Sequence, residues 1–349
     1  MDTYGYAAHS ADTPLAPFHF KRRSLRPDDV AVEILYCGVC HTDLHMARND
    51  WGVSQYPLVP GHEIVGRVVD AGVNVSRHRA GDIVAIGTFV DSCGTCAPCQ
   101  RGDETMCKKG VLLTYNGLDP SSGEMTRGGY SKHIVARDRN VLQVPKALDP
   151  SRTGPLLCAG TTMYTPLEVW NTGPGMRVAI AGLGGLGHLG VKFAAALGAE
   201  VTVITRSAAK AEEASALGAH HTLVSTDAAA MARHESAFDL IVDTIPVAHD
   251  LRAYVTLLDH DGTLVNVGAI SMPVEVDMLP LVVGRRRIAG AGAGGNRPTQ
   301  EMLAFCAEKN VLPETELIGM ESIAEAFDRL ERGDVRYRFV LDVGAFKLP

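Results

Sequence analysis

Short apolar runs separated by glycine, proline and aspartate characterise the first 150 residues of the chain. The clearest of these runs cover residues 30–36, 64–69 and 83–86. Runs of this length that lie between turn-forming residues predict β-strands. The pattern therefore predicts a mostly β domain in this part of the chain.

The pattern changes after about residue 155. Here apolar segments of strand length alternate with segments of helical periodicity, and this alternation predicts βαβ units and a parallel sheet. The expected fold is α/β, with a mostly β domain and a doubly wound parallel-sheet domain. The predicted elements are strands at 178–181, 200–204, 240–243 and 263–267 and a helix at 208–217.

Composition and charge narrow the classes of function. The chain has 349 residues, of which 46% are hydrophobic and 21% are charged, as in an ordinary globular protein. Its net charge of −7 gives no basic surface for nucleic acid. No apolar run is long enough to cross a bilayer, and the N-terminus lacks the pattern of a signal peptide. We therefore expect a cytoplasmic, reducing environment without a membrane or nucleic-acid partner.

Four cysteines, Cys93, Cys96, Cys99 and Cys107, lie close together among glycine, proline and polar residues. Four thiolates at this spacing can surround one tetrahedral ion and leave no free position, as in a structural zinc site. Disulfides and free buried cysteines are the alternatives. Disulfides require an oxidising compartment, which nothing in the sequence indicates. The spacing therefore favours zinc.

A second possible metal site is scattered along the chain. Cys40 follows a predicted strand, His62 precedes one, and Cys158 lies far downstream. Two thiolates and an imidazole are typical ligands of a catalytic zinc with one open position. A lone histidine is more often a satisfied polar residue, and a lone cysteine is more often part of a core. Spacing alone does not show that these three residues meet.

A glycine-rich loop separates a predicted strand from a predicted helix. The G-x-G-x-x-G pattern in this context is typical of dinucleotide binding, because its glycines allow a pyrophosphate to approach the helix N-terminus. The loop residues are Gly182, Leu183, Gly184, Gly185, Leu186 and Gly187.

The end of the next predicted strand indicates the type of nicotinamide cofactor. Proteins that bind NAD place an acidic residue here, whereas this chain has Thr205, Arg206 and Ser207, followed by Lys210. Arg206 and Lys210 could pair with a 2′-phosphate, which a carboxylate would repel. The sequence therefore predicts NADP(H), and the alternative is a solvated basic start of a helix.

Several segments, taken in order, resemble the zinc-dependent medium-chain alcohol dehydrogenases, and most closely their cinnamyl alcohol dehydrogenase branch with its bacterial aldehyde reductases. The resemblance covers nearly the whole chain. Its segments are the four-cysteine group and residues 37–43, 61–68, 114–116, 128–130, 156–160, 298–303 and 333–340.

The resemblance implies a fold and a division into domains. It implies a GroES-like catalytic domain from residues 1–156 and 297–349, with a structural zinc lobe at about 91–108, and a Rossmann domain from residues 157–296. It further implies a homodimer that pairs through residues 277–288.

The resemblance also implies roles for residues of the scattered metal site. Cys40, His62 and Cys158 would hold a catalytic zinc, so that each subunit binds two zinc ions. Glu63 would lie beside this zinc or act as a fourth ligand in the resting site; the alternative is a strand-edge carboxylate. Thr42 would pass a proton through the cofactor ribose towards His45. Alternatively, Thr42 is a helix N-cap and His45 is a surface residue.

Further positions match residues that line the cofactor or the substrate in this family. Trp51 matches an aromatic wall of the substrate pocket. Where the branch usually has a Ser-Phe-Ile segment, this chain has Ala-Gly-Ala-Gly-Gly at 291–295, including Gly292. Loss of the phenylalanine predicts a wider pocket that accepts bulky or aromatic aldehydes. The matching cofactor positions are Thr162, Thr244, Gly268 and Ala293.

These observations lead to one main functional hypothesis, an NADPH-dependent alcohol dehydrogenase that works mainly as an aldehyde reductase, with a broad range of small-molecule primary alcohols and aldehydes, aromatic ones included, as substrates. Reduction of a conjugated C=C or iminium bond on the same fold is a second hypothesis, although enzymes of that kind tend to lose the threonine or a metal ligand. A third is a non-catalytic nucleotide-binding protein. Cys37 and Cys306 are expected to be packing residues.

Overall fold

The computed structural model describes residues 1–269 and 273–347. The chain forms two compact units, one from Met1–Cys158 with Gly294–Pro349 and the other from Ala159–Ala293. The predicted domain boundaries lay at 156/157 and 296/297. The difference has a local basis, because the Cys158 sulfur lies within 4.8 Å of side-chain atoms of Cys40, His62 and Glu63, and the Asn296 N–H is hydrogen-bonded to Glu104.

The amino-terminal part of the first unit is mostly β, as the apolar runs predict. Its core contains fully buried β-branched and aliphatic side chains such as Ile34, Ile64 and Ile86. The strands are β1 (Asp2–Ala7), β2 (Ala16–Lys21), β3 (Asp29–Gly38), β4 (Ile64–Ala71), β5 (Ile83–Ile86), β6 (Phe89–Asp91), β7 (Leu112–Leu113), β8 (His133–Arg137) and β9 (Leu142–Gln143); the helices are α1 (His41–Arg48), α2 (Ala97–Arg101) and α3 (Pro150–Thr153).

The second unit is a parallel sheet with helical connections. Strand and helix alternate along its sequence, and the strands at its centre are buried along nearly their whole length, as expected where both faces of a sheet are covered. Its elements are α4 (Ala159–Val169), β10 (Arg177–Ala181), α5 (Gly187–Ala196), β11 (Glu200–Thr205), α6 (Ala211–Ala216), β12 (His221–Val224), α7 (Ala228–Arg233), β13 (Phe238–Asp243), α8 (Leu251–Val255), β14 (Leu258–Asn266), α9 (Met278–Gly284) and β15 (Arg287–Gly290).

The chain then returns to the first unit and completes its main sheet. The returning elements are α10 (Asn296–Lys309), β16 (Thr315–Gly319), α11 (Ile323–Glu331) and β17 (Arg338–Asp342). The completed sheet has the order β16-β17-β3-β4-β5-β9, and β8 pairs with β3. Strand β17 pairs antiparallel with β3, which places the C-terminal part of the chain beside the strand that leads to Cys40.

The order β12-β11-β10-β13-β14-β15 in the second unit explains where a ligand would bind. All neighbouring pairs in this sheet are parallel. The strand order reverses between β10 and β13, and ligands of such sheets bind at the carboxyl ends of the strands at this point. The glycine-rich loop directly follows β10. Among the described residues, none of the helices combines the length and apolar character that crossing a bilayer requires.

Candidate active site

The cysteine lobe, residues 91–108, brings its four thiols together. Four sulfurs lie within 4.8 Å of one another, those of Cys93, Cys96, Cys99 and Cys107. The Cys93–Cys99 and Cys96–Cys99 sulfur pairs are 3.8 Å and 3.5 Å apart. Zinc–sulfur bonds of about 2.3 Å in a tetrahedron place sulfurs about 3.8 Å apart. None of these cysteines forms a disulfide. The lobe therefore fits a structural zinc ion.

Backbone amides lower the pKa of two of the thiols in the lobe, Cys93 and Cys96. The Cys96 N–H donates to the sulfur of Cys93 over 3.4 Å. The amides of Thr95 and Cys96 lower the pKa of Cys93 to about 5. Burial, by contrast, raises the pKa of Cys99 to about 11. A metal cation at the centre favours the thiolate form of each ligand.

The buried metal site consists of Cys40, His62, Glu63 and Cys158, whose ligand atoms also lie within 4.8 Å of one another. Antiparallel pairing of β3 with β4 brings the first three together, because Cys40 follows β3 and His62 precedes β4. Cys158 follows a 3₁₀ turn at Gly154–Leu157. The sulfurs of Cys40 and Cys158 are 3.9 Å apart, again close to the tetrahedral spacing.

The two thiols of the buried metal site share a hydrogen bond. This bond to Cys158 is the largest cause that holds the pKa of Cys40 well below its usual range, and His62 lowers it further. The same bond, together with burial, raises the pKa of Cys158. A metal cation bound between the two sulfurs would favour the thiolate form of both.

Asp43 orients the histidine of this site. Its carboxylate is fully buried and accepts four hydrogen bonds, from His62 Nδ1 at 3.1 Å, Gly61 N at 3.0 Å, Cys40 N at 3.1 Å and the Tyr130 hydroxyl at 2.9 Å. Because His62 Nδ1 is bonded to Asp43, Nε2 is the nitrogen left for a metal ion. This carboxylate–histidine pairing is typical of metal-ligating imidazoles.

Glu63 is held by an ion pair with Arg338, a buried residue of β17. Its Oε1 accepts a short hydrogen bond from the Arg338 guanidinium. Among the described residues, its Oε2 has no hydrogen-bond partner, although the side chain is fully buried. Burial raises the pKa of Glu63 to about 7, and Arg338 opposes this increase. A buried oxygen without a partner is what a part-time metal ligand would present.

Thr42 and His45 lie on α1, which begins directly after Cys40. Cys40 is the N-cap, and Asp43 completes a capping box with it, so the alternative interpretation of Thr42 as the N-cap is wrong. His45 Nδ1 lies 2.7 Å from an Asp50 carboxylate oxygen, and the His45 side chain is 39% exposed. The Trp51 ring lies 5.3 Å from the His45 ring and is also partly exposed.

The glycine-rich loop has the geometry that its pattern predicts. Gly182 has φ +94°, and a Cβ atom there would lie 2.6 Å from the Thr244 hydroxyl. A Cβ atom on Gly187 would lie 2.0 Å from the carbonyl oxygen of Gly182. The Gly184 position faces open space, with no atom within 4 Å of an added Cβ. The outer glycines thus close the turn before α5, and the middle one leaves room for an anion.

The two basic residues after β11 have different surroundings. Lys210 Nζ donates to the carbonyl oxygen of Leu183 in the glycine-rich loop over 2.9 Å. Arg206 and Ser207 are exposed, and the Ser207 hydroxyl caps the short 3₁₀ turn that follows. Lys210 therefore supports the loop, whereas the Arg206 guanidinium lies open to solvent.

The other predicted cofactor residues lie in the second unit. The Thr244 hydroxyl donates to the Ala181 carbonyl oxygen over 2.7 Å, which connects the ends of β10 and β13. A Cβ atom on Gly268 would meet the Ile245 carbonyl oxygen at 2.3 Å. Thr162 is a half-buried residue of α4. Gly292 and Ala293 follow β15, and Gly292 has open space around it.

Comparisons with known proteins agree with this geometry. Residues 26–146 match the alcohol dehydrogenase GroES-like domain, and residues 185–308 match the zinc-binding dehydrogenase family. The chain is 49% identical to a probable formaldehyde dehydrogenase of Bacillus subtilis over 93% of this chain and 92% of the relative. It is 47% identical to the NADP-dependent alcohol dehydrogenase C of Mycobacterium tuberculosis over 97% and 98% of the two chains. The chain belongs to the zinc-dependent medium-chain alcohol dehydrogenases.

A solved structure places the chain within this family. A cinnamyl alcohol dehydrogenase from Sorghum bicolor superposes with a TM-score of 0.96 and 43% identity, over 100% of this chain and 99% of that one. The prediction of a GroES-like domain with a Rossmann-type sheet, and the placement in the cinnamyl alcohol dehydrogenase-like branch, are confirmed.

Sequence reasoning gave no role to two residues that support the buried metal site in this alcohol dehydrogenase. Asp43 and Arg338 both lie in the segments that carry the family resemblance, yet neither is a ligand. A signal for Asp43 was available, because a carboxylate three residues after a metal-ligating cysteine can cap the helix that begins there. No local signal connects Arg338 to Glu63, because 275 residues separate them. Cys37 and Cys306 are buried and belong to neither cluster.

Proposed function

We propose that this chain transfers hydride between NADP(H) and a primary alcohol or aldehyde, and that it works mainly as an aldehyde reductase. The observation that carries the proposal is the buried metal site, in which ligand atoms of Cys40, His62 and Cys158 meet while Asp43 bonds Nδ1 of the imidazole. Two thiolates and an imidazole leave one position of a tetrahedral zinc ion open for a substrate oxygen.

The residues of the buried metal site would have different roles in catalysis. Cys40, His62 and Cys158 would hold the zinc, which supplies Lewis-acid polarisation of the substrate oxygen when bound. Asp43 keeps His62 in the tautomer that binds metal. Glu63 offers one carboxylate oxygen to the same cluster, which suits a fourth ligand in the resting site. The two thiolates would also neutralise the charge of a divalent ion, which would moderate its Lewis acidity.

Thr42 and His45 would move the proton. The Thr42 hydroxyl is the proposed donor or acceptor for the substrate oxygen, and the proton then passes by way of the cofactor ribose to His45. The contact of His45 with Asp50 and its partial exposure support an outlet to water. A Thr42→Val variant should therefore lose turnover by about a hundredfold or more while it retains zinc.

Arg206 supports the choice of NADP(H) over NAD(H). It is exposed at the end of β11, where an NAD-binding protein of this fold would have a carboxylate. The name of the Mycobacterium tuberculosis relative specifies NADP, and we extend that preference to this chain. We propose that Arg206 pairs with the 2′-phosphate, with a contribution from Ser207 and Thr205.

A comparison of two variants tests this assignment. Arg206→Ala should raise KM for NADPH by about 10- to 100-fold and leave KM for NADH nearly unchanged, because only NADPH carries the 2′-phosphate. Lys210→Ala should weaken the binding of both cofactors alike, because Lys210 is hydrogen-bonded to the glycine-rich loop. Equal losses for both cofactors in Arg206→Ala would contradict the proposed role.

The substrate pocket is proposed to accept bulky or aromatic aldehydes. Gly292 has open space around it, and Trp51 offers a partly exposed aromatic face. The relatives are named for different substrates, formaldehyde and cinnamyl alcohol among them, so their names favour no single aldehyde.

The decisive experiment is a screen of NADPH oxidation with aliphatic, aromatic and terpenoid aldehydes, with zinc content measured on the same samples. We expect turnover with several classes and the highest kcat/KM for cinnamaldehyde- or benzaldehyde-type substrates. A strong preference for ethanal would contradict the wide pocket. Reduction of the C=C bond of an enal instead of its aldehyde would favour the alternative reductase, and absence of turnover with intact zinc would favour a non-catalytic nucleotide-binding protein.

We further propose that the chain forms a homodimer through its second unit. Strand β15 is an edge of the sheet, and the adjacent α9 exposes Leu279, Val282 and Val283 by 67%, 70% and 72%. An unpaired edge beside exposed apolar side chains is typical of a surface that a second copy covers. The assignment of residues 1–156 and 297–349 to catalysis and of residues 157–296 to dinucleotide binding belongs to the same proposal, as does a cytoplasmic setting.

A further inference from the structure

Glu104 lies between the last two cysteines of the cysteine lobe but forms its main contact far away in sequence. Its side chain is buried, and Oε2 accepts a hydrogen bond of 2.8 Å from the backbone N–H of Asn296. Asn296 is the first residue of α10, a helix of 14 residues. A carboxylate at this position also interacts favourably with the positive end of the helix dipole.

The start of α10 depends on the lobe because it has no cap of its own. Its N-cap residue is Gly295, which has no side chain that could accept a hydrogen bond. The Arg297 N–H donates to the Gly102 carbonyl oxygen, also in the lobe, over 3.3 Å. Two of the helix's first N–H groups are thus satisfied by residues about 190 positions earlier in the chain.

The contact between the lobe and the helix start is too close for ordinary side chains. A Cβ atom on Gly295 would lie 2.0 Å from the Gly102 carbonyl oxygen, and one on Gly102 would lie 2.4 Å from the Arg297 Cβ. Additional bonds connect Arg297 Nε to the Arg101 carbonyl oxygen at 2.8 Å and Asn296 Nδ2 to the Arg139 carbonyl oxygen at 3.0 Å. The two backbones therefore lie in direct contact.

The segment that Glu104 holds continues directly into the proposed substrate segment. Residues 291–293 end the second unit, and Gly294 begins the return to the first. The five residues 291–295 contain three glycines, so little in their own sequence restricts their conformation. Gly294 also accepts a hydrogen bond of 3.5 Å from the Thr299 hydroxyl of α10, so the position of the helix start restrains the end of this segment.

We propose that Glu104 is a positioning residue that connects the metal of the cysteine lobe to the segment at 291–295. With Cys99 and Cys107 bound to one ion, the chain between them presents Gly102 and Glu104 to α10. The structural zinc then contributes to substrate binding through the start of this helix, in addition to stabilising its own lobe. The proposal rests on the proposed function, because it assigns Gly292 to the substrate pocket.

The test compares Glu104→Ala and Glu104→Gln with Asp103→Asn, which changes a neighbouring carboxylate of the lobe that forms an ion pair with Arg101. Glu104→Ala should increase hydrogen exchange of the segment 294–299 about tenfold and raise KM for the aldehyde about 5- to 20-fold, with kcat changed less than twofold. Glu104→Gln keeps an acceptor oxygen and should show intermediate effects. Asp103→Asn should behave as the unchanged protein, and all three variants should keep their full zinc content.

Different failures have different meanings in this experiment. Loss of one zinc per chain in Glu104→Gln would overturn the proposal, because Glu104 would then serve the lobe itself. Faster exchange at 294–299 without a change in KM would also overturn it, because the helix start would not influence the substrate. If the unchanged protein reduced no aldehyde, the proposed function would fail, and hydrogen exchange would still report whether Glu104 holds the start of α10.

Discussion

The cysteine lobe and the buried metal site differ in how the fold brings their ligands together. The four cysteines of the lobe lie within 15 residues of sequence, whereas Cys40 and Cys158 of the buried site are 118 positions apart. The lobe is held partly by its own backbone amides and is partly exposed. The buried site is assembled by the sheet and surrounded by charged side chains.

This difference reflects what each site has to do. A closed four-thiolate site needs only a loop that folds around its ion, and backbone N–H groups can stabilise its thiolates regardless of side chains. An open site must hold three ligands rigidly while the fourth position exchanges. The rigidity comes from Asp43, which bonds four groups at once, and from the buried pair of Glu63 with Arg338.

The largest expected effect follows from removal of a ligand of the buried site. Cys158→Ala should reduce turnover by about a thousandfold or more, because the remaining ligands cannot hold the Lewis acid in place. Zinc content should fall by one ion per chain, and NADPH binding, measured by fluorescence titration, should remain. Cys37→Ala is the matched control, since Cys37 is buried nearby but belongs to neither cluster; retained turnover in Cys158→Ala would contradict the proposed ligand set.

Loss of a ligand in the lobe should affect stability first. Cys99→Ala should lose the lobe's zinc and lower the free energy of unfolding by several kcal/mol, because metal binding contributes directly to folding. Thermal unfolding and zinc analysis measure the two losses. Cys306→Ala, a buried cysteine of α10, provides the control and should cost only about 1 kcal/mol with full zinc content. Equal effects of the two variants would show that the lobe holds no metal.

The sequence predicted the cysteine lobe more completely than the buried metal site, because the ligands of the two sites are separated by different lengths of chain. The spacing of the lobe cysteines was sufficient to suggest zinc, because local chain geometry alone brings such ligands together. For the buried site, the residue types suggested a catalytic zinc, but only the family resemblance connected Cys158 to Cys40 and His62. Asp43, and the contact between Arg338 and Glu63, depend on strand pairing that no local pattern specifies.

Prediction of the fold from the sequence was limited in the same way. Hydrophobic runs and the glycine-rich loop predicted the strands around β3, β4 and β10, and the predicted helix at 208–217 corresponds to a 3₁₀ turn at Ala208–Lys210 followed by α6. The contact of Lys210 with Leu183 could not be foreseen, because a basic side chain near a phosphate site has the same sequence signal whether it binds the ligand or the protein.

An intermediate effect is expected from Asp43→Asn. The amide can still accept from His62 but loses the charge that stabilises four donors in a buried space, and changes of this kind reduce metal affinity or activity by about 10- to 100-fold. Competition with a chelator should show faster loss of one zinc per chain, and added zinc should partly restore turnover. Tyr130→Phe removes only one of the four donors and should have a smaller effect. A larger loss in Tyr130→Phe than in Asp43→Asn would contradict the central role of the carboxylate.

The smallest effect should come from the corresponding change in the lobe. The Thr95 hydroxyl donates to Cys93 over 3.6 Å from an exposed position, so Thr95→Ala removes a side-chain donor to a thiolate just as Tyr130→Phe removes one from Asp43. The backbone amides of Thr95 and Cys96 remain after the substitution, and they are the larger cause of the low pKa of Cys93. We therefore expect full zinc content, unchanged kcat/KM and a loss of stability below about 1 kcal/mol. If Thr95→Ala instead lost zinc as readily as Asp43→Asn, side chains would be as important in the lobe as in the buried site, and the contrast between a backbone-supported and a side-chain-supported metal site would fail.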